Sequence, residues 1–340
     1  MNKPLRLLIT DTTHTQFAGH VRDWLEPRVF DAVFPDAVGE AALLALAPQA
    51  DAILCYQAEL TGNVINAAPH LKFIQKHGLN CRNIDLKAAA ARHIPVATLP
   101  LLRNVTVAEH ALALMLACAR QIIPGHQAVT TASYVQSGLQ PMQTTQGNYR
   151  ANWAGISGMK ELYQSTVGIV GMGDIGIEIA RRCRAFGMRV VYHQRTPLPP
   201  AMEATLETQR LPLEDLLATA DVVVLALPHT PQTAGIINAQ TLARMKPTAT
   251  LINIGRGALI DEAALAHALR HQHIAMAALD VYAMEPLPAD SPLIGLPNVV
   301  LTPHTGGGSY RSWEVDMPAA LANIQRYFEQ GQASGVINGS

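Results

Sequence analysis

A short glycine pattern constrains the fold of this chain more than any other feature. The sequence Gly171-Met-Gly173-Asp-Ile-Gly176 directly follows the apolar run Val167–Val170, and it opens a segment of helical periodicity that ends at Gly187. A G-x-G-x-x-G pattern alone is a weak signal, but between a strand and a helix it is typical of a dinucleotide-binding turn. Its glycines permit a tight turn, close approach of a pyrophosphate, and close packing of helix on strand. We therefore predict that the amides at the start of this helix bind the phosphates of a dinucleotide.

Strand-like and helix-like segments alternate after this turn, which predicts a parallel sheet covered by helices. Six strands are expected, at Val167–Val170, Arg189–His193, Val222–Ala226, Thr250–Ile254, Ile274–Leu279 and Val299–Thr302. Helices are expected between them, at Ile175–Ala185, Leu213–Ala218, Ala239–Met245 and Glu262–His271. This series predicts a doubly wound nucleotide-binding domain.

The first hundred residues alternate in the same way, so we predict a second α/β domain there. Its expected strands are Leu5–Thr10, Ala52–Tyr56, Phe73–Lys76 and Val96–Thr98, and its clearest helices are Glu40–Ala47 and Leu86–Arg92. The amphipathic segment Glu314–Gln330 near the C-terminus is expected to be a helix that returns to this first domain. A length of 340 residues agrees with two domains, because chains of this length usually divide into more than one domain, each with its own hydrophobic core.

A helix and an irregular segment separate the two series. Thr106-Val-Ala-Glu109 has the spacing of a capping box, which predicts a helix over Thr106–Ala119. This helix is apolar on nearly every face, so we expect it to be buried between domains or against another subunit. Residues 121–160 are broken by glycines and Pro141, and we expect a long functional or interface loop with little helix.

Composition excludes several classes of protein. Hydrophobic residues make up 49% and charged residues 15%, which argues against disorder. The formal charge is −1, so there is no electrostatic reason to expect nucleic acid or an anionic membrane as a partner. We expect no signal peptide, no membrane span and no metal site. The four cysteines form no C-x-x-C pair, which favours a reduced, cytoplasmic protein.

The residues after the second strand of the nucleotide series bear on the choice of cofactor. An NAD-selective site places Asp or Glu there, about twenty residues past the glycine turn, to hold the ribose 2′-hydroxyl. The sequence instead reads Tyr192-His193-Gln194-Arg195-Thr196, and no acid occurs between Glu178 and Glu203. Arg195 and Thr196, with His193 as a third donor, are suited to a 2′-phosphate. We therefore expect NADP(H) to be preferred, with NAD(H) as the alternative.

Polar side chains follow the last three strands of the same series. Arg256 follows the fourth strand, Glu285 the fifth and His304 the sixth. In open α/β sheets the ligand crevice lies outside the carboxyl ends of the strands, so we expect the three side chains to reach one crevice.

With a nicotinamide as the hydride donor, these three residue types supply what the reduction of a 2-keto acid requires from the protein. Arg256 offers a planar fork for carboxylate and keto oxygens. His304 can donate and recover a proton, and Glu285 beside it is expected to stabilise the imidazolium form. Each residue alone has an ordinary structural explanation, such as a turn or a solvated charge. Their order downstream of the glycine turn favours catalysis.

With these residues the chain resembles the D-isomer-specific 2-hydroxyacid dehydrogenase family. The matching stretches begin at Asn83-Ile-Asp85, Thr106-Val-Ala-Glu-His110, Val167-Gly-Ile-Val-Gly171, Leu227-Pro-His-Thr230, Leu251-Ile-Asn-Ile-Gly-Arg256, Leu279-Asp-Val-Tyr282 and Asn298-Val-Val-Leu-Thr-Pro-His304. They cover the chain from about residue 70 to its end. The resemblance implies a doubly wound nucleotide domain, residues 104–308, inserted into a flavodoxin-like substrate domain, residues 1–103 plus 309–340. It also implies an active site in the cleft between them, and a homodimer formed through a helix and loop at 104–160.

The resemblance further implies roles for individual residues. Arg256, Glu285 and His304 match the catalytic trio, with Arg256 and His304 also contacting substrate. The loop Gly78-Leu79-Asn80 matches the amides that hold the substrate carboxylate, and Lys76 lies just upstream. The residues expected to contact the cofactor are Gly171, Gly173, Asp174, Ile175, Gly176, His193, Gln194, Arg195, Thr196, Leu227, Pro228, Thr233, Ile254, Gly255, Asp280, Gly306 and Gly307.

The substrate loop departs from the family pattern, and this leaves the substrate open. Asn80 replaces the usual glycine, Lys76 and His77 precede it, and Leu99–Arg103 replaces a more glycine-rich loop. We expect NADPH-dependent reduction of a small 2-keto acid such as glyoxylate or hydroxypyruvate to the D-2-hydroxy acid, or the reverse oxidation. One alternative is oxidation of another small anion such as phosphite, with Lys76 as its ligand. Another is a non-enzymatic NAD(P)H sensor or corepressor. A methyltransferase would leave the Arg, Glu and His unexplained.

Overall fold

The structure is a computed structural model that describes residues 3–12, 15–308 and 310–338, with the backbone alone at Gln16 and Tyr310. It forms two compact units, one of residues 1–104 and 309–340 and one of residues 105–308. The second unit therefore interrupts the first in the sequence. Both units are built on parallel sheets covered by helices, which confirms the predicted α/β fold class.

The secondary structure alternates along most of the chain. The strands are β1 Leu5–Ile9, β2 Phe30–Val33, β3 Ala52–Cys55, β4 Phe73–His77, β5 Val96–Leu99, β6 Thr166–Val170, β7 Arg189–His193, β8 Thr208–Arg210, β9 Val222–Leu225, β10 Thr250–Asn253, β11 Met276–Leu279 and β12 Val299–Leu301. The helices are α1 Gln16–Trp24, α2 Glu40–Leu46, α3 Gly62–Asn66, α4 Leu86–Ala91, α5 Leu102–Ala119, α6 Ile122–Thr130, α7 Asp174–Ala185, α8 Pro200–Leu206, α9 Leu213–Thr219, α10 Ala239–Leu242, α11 Glu262–Arg270 and α12 Tyr310–Gln330.

The first unit has five parallel strands in the order β2-β1-β3-β4-β5, which is the flavodoxin-like order. Strands β3 and β4 are buried along their whole length, as expected for strands covered on both faces. Helices α1 and α12 pack on one face, and α2, α3 and α4 pack on the other. The C-terminal helix α12 contacts β4 and β5 and buries Met317, Leu321 and Ile324, so the predicted return of this segment is confirmed.

The second unit has seven parallel strands in the order β12-β11-β10-β9-β6-β7-β8. The strand order reverses between β6 and β9, which is the doubly wound arrangement. The sequence predicted six strands, and β8 was missed because its three residues, Thr-Gln-Arg, are polar and mostly exposed. Helix α7 ends at Ala185, and the predicted C-terminal glycine follows at Gly187, which has a φ of +72° and whose amide donates to Arg184 O at 2.9 Å.

Helix α5 begins four residues before its predicted start, so the capping-box prediction is wrong. Thr106 lies inside the helix, which starts at Leu102. The Leu102 amide donates to Asp316 Oδ1 at 2.9 Å, and Asp316 comes from α12, which is distant in sequence. A cap supplied from elsewhere in the fold leaves no local sequence signal.

One face of α5 is buried within the second unit, and its burial between domains or against another subunit stays a prediction. Its buried residues, Val107, Ala108, Ala111, Leu112, Leu114, Met115 and Cys118, belong to the core of the second unit. With 18 residues and a mean hydropathy of 1.2, α5 is also the one described helix long and apolar enough to cross a membrane. Because a core helix meets the same criteria, this is weak evidence for a membrane span.

Residues 121–160 contain more helix than predicted. Helix α6 covers nine of them, and a short 3-10 turn follows at Ser133–Val135. Pro124 lies in the first turn of α6, where its missing amide hydrogen costs little. Residues 136–160, all of them described, form neither helix nor strand.

Candidate active site

The glycine turn lies where the strand order of the second unit reverses. Gly171, with a φ of +100°, follows β6, and a Cβ atom there would lie 2.6 Å from Ala226 O after β9. A Cβ on Gly176 would lie 2.2 Å from Gly171 O, so helix α7 packs directly on the turn. A Cβ on Gly173, the N-cap of α7, would have no neighbour within 4 Å. The backbone at Gly173 therefore borders open space, which leaves room for a pyrophosphate at the start of α7, where Asp174 and Ile175 lie.

The segment after β7 lies against this turn. The Gly171 amide donates to His193 O at 2.9 Å, and the Met172 amide donates to Gln194 Oε1 at 3.2 Å. His193 Nδ1 lies 3.0 Å from Leu211 O, so this ring is already engaged. Arg195 and Thr196 are exposed beyond the strand. The sequence thus correctly placed His193 and Gln194 beside the glycine turn, and Arg195 and Thr196 directly follow them.

The loops after β9 and β10 complete the same edge of the sheet. Thr233 Oγ1 donates to Pro228 O at 2.8 Å and accepts the Thr230 amide at 2.7 Å, which closes the loop that begins at Leu227. A Cβ on Gly255 would lie 2.9 Å from Leu227 O, so these two loops are in close contact. Ile254 is buried between β10 and Gly255.

Arg256 lies on a loop held by buried groups. The Asn253 side chain is fully buried, accepts the Gly255 amide at 3.1 Å and donates to Arg256 O at 3.0 Å. A Cβ on Gly257 would lie 1.7 Å from Tyr282 C, so the loop after β10 packs directly on the loop after β11. The Arg256 guanidinium is exposed, and Nη1 donates to Gly255 O at 2.7 Å.

The strand register aligns the three predicted catalytic residues at one edge of the sheet. Asn253 pairs with Leu279, and Leu279 pairs with Leu301, so the ends of β10, β11 and β12 are level. Arg256 lies three residues beyond this level, Glu285 six and His304 three. All three therefore lie on loops at the carboxyl edge of adjacent strands.

Glu285 and His304 form a close pair. His304 Nδ1 lies 2.6 Å from Glu285 Oε2, and the Tyr282 amide donates to Glu285 Oε1 at 3.1 Å. Although desolvation opposes the shift, the hydrogen bonds from His304 and from the Tyr282 amide lower the pKa of Glu285 below its ordinary value. The carboxylate is therefore ionised near neutral pH and holds the imidazole through Nδ1, which leaves Nε2 for another partner.

His304 has a strained backbone and lies beside open space. Its φ is +54°, a left-handed conformation that few residues other than glycine adopt. Its amide donates to Thr302 O at 3.0 Å, and its side chain is 49% exposed. The pair borders a groove of about 510 Å³, lined by Tyr282, Glu285, Pro286, Leu287, Leu301, Thr302, Pro303 and His304.

Asp280 is buried and engaged within the protein. Its Oδ1 accepts the Thr302 hydroxyl at 2.6 Å and the Thr305 amide at 2.9 Å, and its Oδ2 accepts the Gly306 amide at 2.8 Å. His110 Nε2, on α5, lies 3.1 Å from Asp280 Oδ1. Asp280 thus fixes the loop that carries His304, together with His110, which sequence reasoning did not single out. No described side chain bonds to Gly307.

In the first unit, Lys76 is a buried cation at the end of β4. It is 6% exposed, and its ammonium donates to Tyr56 O, the one hydrogen-bond acceptor it has in the described chain. Asn83 Nδ2 donates to the same carbonyl at 3.1 Å and to Ala58 O at 2.7 Å, which fixes this loop. Since an ammonium group has three donors, Lys76 retains hydrogen-bonding capacity for an anion.

The loop after Lys76 presents its backbone. Gly78 has a φ of +115° and accepts the Leu99 amide at 3.2 Å, while Leu79 and Asn80 are exposed. Asn80 Oδ1 accepts the Arg82 amide at 3.0 Å, so its side chain folds back on its own loop. The four substrate residues predicted near here lie in the first unit, and Arg256 and His304 lie in the second.

His77 is surrounded by aromatic rings of the first unit. The ring centroids of Phe17, Tyr56 and Trp313 lie 5.2, 5.5 and 5.7 Å from its own. Burial, reinforced by the positive charges of Arg103 and Lys76, lowers the pKa of His77 to about 3. Its Nδ1 is buried and has no hydrogen-bond partner in the described part of the chain. His77 is therefore neutral in the folded protein, a property that no sequence motif indicated.

In the described ranges, no group of three or more His, Cys, Asp or Glu side chains is arranged to hold a metal ion. The residues present instead fit a dinucleotide, since Gly173, the N-cap of α7, makes no side-chain cap and a Cβ atom on it would meet nothing within 4 Å.

Comparisons with known proteins agree with this geometry. The sequence profile of the D-isomer specific 2-hydroxyacid dehydrogenase NAD binding domain matches residues 112–306. A glyoxylate reductase of Pyrococcus furiosus is 37% identical over 291 residues, covering 85% of this chain and 82% of that protein. A D-3-phosphoglycerate dehydrogenase of Mycobacterium tuberculosis is 39% identical over 304 residues, but the chain spans only about half (53%) of that protein. An NADPH-dependent glyoxylate/hydroxypyruvate reductase of Sinorhizobium meliloti, solved with NADP and malonate, has a TM-score of 0.63 and 29% identity, covering 98% of this chain and 97% of that one.

The neutral state of His77 predicts how acid affects stability. Its folded-state pKa of about 3 lies below the ordinary 6.5, so the unfolded chain binds a proton that the folded unit does not. The contribution of His77 to stability is therefore full above pH 6.5 and is lost as the pH falls from 6.5 towards 3, by about 1.4 kcal/mol per pH unit. His77→Phe keeps the ring and cannot titrate. We expect urea unfolding to show the variant gaining stability relative to wild type as the pH falls below 6.5.

Comparing the two proteins isolates His77 from its titrating neighbours. Burial raises the pKa values of Asp11 and Asp316, which act in the opposite direction but are present in both proteins. A stability difference that stays constant between about pH 8 and pH 5 would show that His77 binds its proton normally in the folded unit.

Proposed function

Since the chain belongs to the D-isomer-specific 2-hydroxyacid dehydrogenase family, we propose that it transfers a hydride between NADP(H) and carbon 2 of a small 2-keto or 2-hydroxy acid. The family membership confirms the resemblance predicted from the motifs. The observation that carries the proposal is the 2.6 Å contact of His304 with Glu285, on loops level with Arg256.

His304 is the proposed acid and base. When bound, the nicotinamide supplies the hydride for reduction and accepts it in oxidation. As carbon 2 of the keto acid gains the hydride, the keto oxygen becomes an alkoxide and takes the proton of His304 Nε2. Glu285 stabilises the imidazolium that donates this proton, and the reverse oxidation returns the proton to a neutral ring. The strained backbone of His304 supports this role, because such strain tends to occur at functional sites.

Arg256 is the proposed anchor of the substrate. One of its five N–H donors binds Gly255 O, which leaves a planar edge for carboxylate and keto oxygens. The direct packing of Gly257 on Tyr282 supports this proposal, because it limits movement of the Arg256 loop relative to the Glu285 loop.

The substrate carboxylate is proposed to bind the amides of Gly78, Leu79 and Asn80, with Lys76 as the nearby charge. The uncommitted donors of buried Lys76 support an anion at this position. The family relatives include glyoxylate reductases, which supports glyoxylate or hydroxypyruvate as substrate. Because D-3-phosphoglycerate dehydrogenases are also among the relatives, 3-phosphoglycerate belongs in the same assay panel, together with phosphite, the alternative considered from the sequence.

NADP(H) is the proposed cofactor. Its support is the absence of an acid between Glu178 and Glu203, the exposed Arg195, and the NADP bound in the Sinorhizobium meliloti reductase. The remaining cofactor contacts are proposed at the glycine turn and at the loops after β9, β10 and β12.

His304→Asn tests the catalytic proposal. Asparagine is chosen because it tolerates the left-handed backbone of this position and cannot donate the proton. We expect kcat for glyoxylate or hydroxypyruvate reduction to fall by about 10² to 10⁴ while NADPH still binds. The matched control is His273→Asn, an exposed histidine before β11 and hence at the opposite edge of the sheet, which should leave kcat unchanged.

Near wild-type turnover by His304→Asn would refute the acid–base role. Wild-type protein that binds NADPH but reduces no 2-keto acid would instead favour the sensor. Turnover of phosphite alone would favour the small-anion alternative.

We also propose that the chain forms a homodimer through residues 122–159. Eight large apolar side chains of this stretch are exposed, at Ile122, Ile123, Val129, Val135, Met142, Tyr149, Trp153 and Met159. So many exposed large apolar side chains within one stretch of the chain suggest an interaction surface, and a second copy of the same stretch would cover them.

Val135→Glu tests the dimer, because this side chain is 63% exposed in the proposed contact. We expect light scattering after gel filtration to give a dimer for wild type and a monomer for the variant. Val38→Glu, at an 88% exposed position of the first unit, is the control and should stay dimeric. A monomeric wild type would contradict the proposal.

A further inference from the structure

We propose that Arg210 is a cofactor-selecting residue that binds the 2′-phosphate of NADP(H) together with Arg195. This inference rests on the proposed function, and it names a residue that no sequence motif indicates. Arg210 lies about 35 residues beyond the glycine turn, at the end of a strand that the sequence did not predict.

Strand pairing brings Arg210 to the segment after β7. It is the last residue of the edge strand β8, and it pairs with Tyr192 of β7. Because β7 and β8 are parallel, their carboxyl ends lie at the same edge of the sheet. Residues 193–196 and the Arg210 side chain therefore lie side by side. This is the position at which doubly wound nucleotide-binding domains contact the adenine ribose.

The guanidinium of Arg210 binds the backbone of this segment. Its Nε donates to Gln194 O at 2.9 Å, and its Nη2 donates to Arg195 O at 3.1 Å. These two contacts use two of five N–H donors, and the residue is exposed. The guanidinium is thus held in place beside Arg195 and has donors left for a ligand.

The charges around the two arginines point to an anion. In the part of the chain that the structure describes, neither Arg195 nor Arg210 has a carboxylate within ion-pair distance. The two acids that precede β8 are engaged elsewhere, since Glu203 accepts the Tyr192 hydroxyl and Glu207 pairs with Arg184. A phosphate monoester near neutral pH would supply the negative charge that both arginines lack in the described chain.

The segment also connects to the pyrophosphate turn. Gln194 Oε1 accepts the Met172 amide at 3.2 Å, so the backbone that Arg210 holds is joined to the glycine turn. A dinucleotide with its pyrophosphate at the start of α7 would carry its adenine ribose past this contact. Its 2′-position would then lie next to residues 194–196.

Arg210 could instead hold this loop for either cofactor without touching the phosphate. The two roles differ in one measurable respect. A phosphate ligand affects NADPH alone, whereas a loop support affects NADPH and NADH equally.

The experiment measures Kd for NADPH and for NADH by nucleotide fluorescence in the full-length protein. Wild type is compared with Arg210→Met, Arg210→Lys and Arg195→Met. Arg210→Met should raise the Kd for NADPH about 10- to 100-fold, the loss typical of charge-assisted hydrogen bonds, and leave the Kd for NADH within about twofold. Arg210→Lys keeps the charge and should lose less. The matched control is Arg181→Met, an exposed arginine on α7 that pairs with Glu178, and it should change neither constant.

The pH dependence of binding is a second readout that a loop support would not move. The 2′-phosphate loses its second charge as the pH falls through about 6, so wild type should bind NADPH less tightly there. Arg210→Met should show a weaker pH dependence, and NADH binding should show none from this source.

Equal weakening of both cofactors, or no change in either, would overturn the proposal for Arg210 and leave the dehydrogenase proposal intact. Wild-type protein that binds neither nucleotide would overturn both. If Arg210→Met does not fold, Arg210→Lys still decides the question, because a loss for NADPH alone supports the proposal and equal losses for both cofactors overturn it.

Discussion

The level ends of β10, β11 and β12 are the constraint on which the candidate site depends. Asn253 pairs with Leu279, and Leu279 pairs with Leu301. The loops that follow these three residues therefore begin at the same edge of the sheet. A slip of one residue in either pairing would move Arg256 or His304 by about 3.3 Å and turn the paired side chains to the other face. The buried apolar strands fix this register, because a slip would also expose their core-facing side chains.

Buried polar groups and close backbone packing also hold the loops that follow these aligned strands. Asn253 and Asp280 are both buried. Asn253 accepts an amide of the loop after its own strand, β10, and Asp280 accepts two amides of the loop after the neighbouring strand, β12. Gly257 leaves no space for a side chain against Tyr282. The exposed groups, Arg256, Glu285 and His304, are therefore carried by loops whose buried parts are already fixed. Such preorganisation is what hydride transfer with general acid–base catalysis requires.

The parts of the structure that sequence reasoning found have local causes. Residues adjacent in the chain determine the glycine turn, the apolar strands and the termination of α7 just before Gly187. The shared location of Arg256, Glu285 and His304 at one edge of the sheet could be predicted because each lies within six residues of the end of a recognisable strand. What was missed depends on contacts between distant residues. The start of α5 is set by Asp316, and the anchoring of Asp280 involves His110 on another helix. Strand β8 is short and polar, and its pairing with β7 gives it its place and brings Arg210 to the cofactor edge.

A crystal structure with NADPH and oxamate, an unreactive analogue of a 2-keto acid, tests the central claim most directly. We expect the oxamate oxygen that replaces the keto oxygen to lie about 2.6–3.2 Å from His304 Nε2, with the Arg256 guanidinium on the same ligand. His304 Nδ1 should keep its contact with Glu285. Oxamate bound away from His304 and Arg256 would contradict the assignment of this sheet edge as the site of hydride transfer.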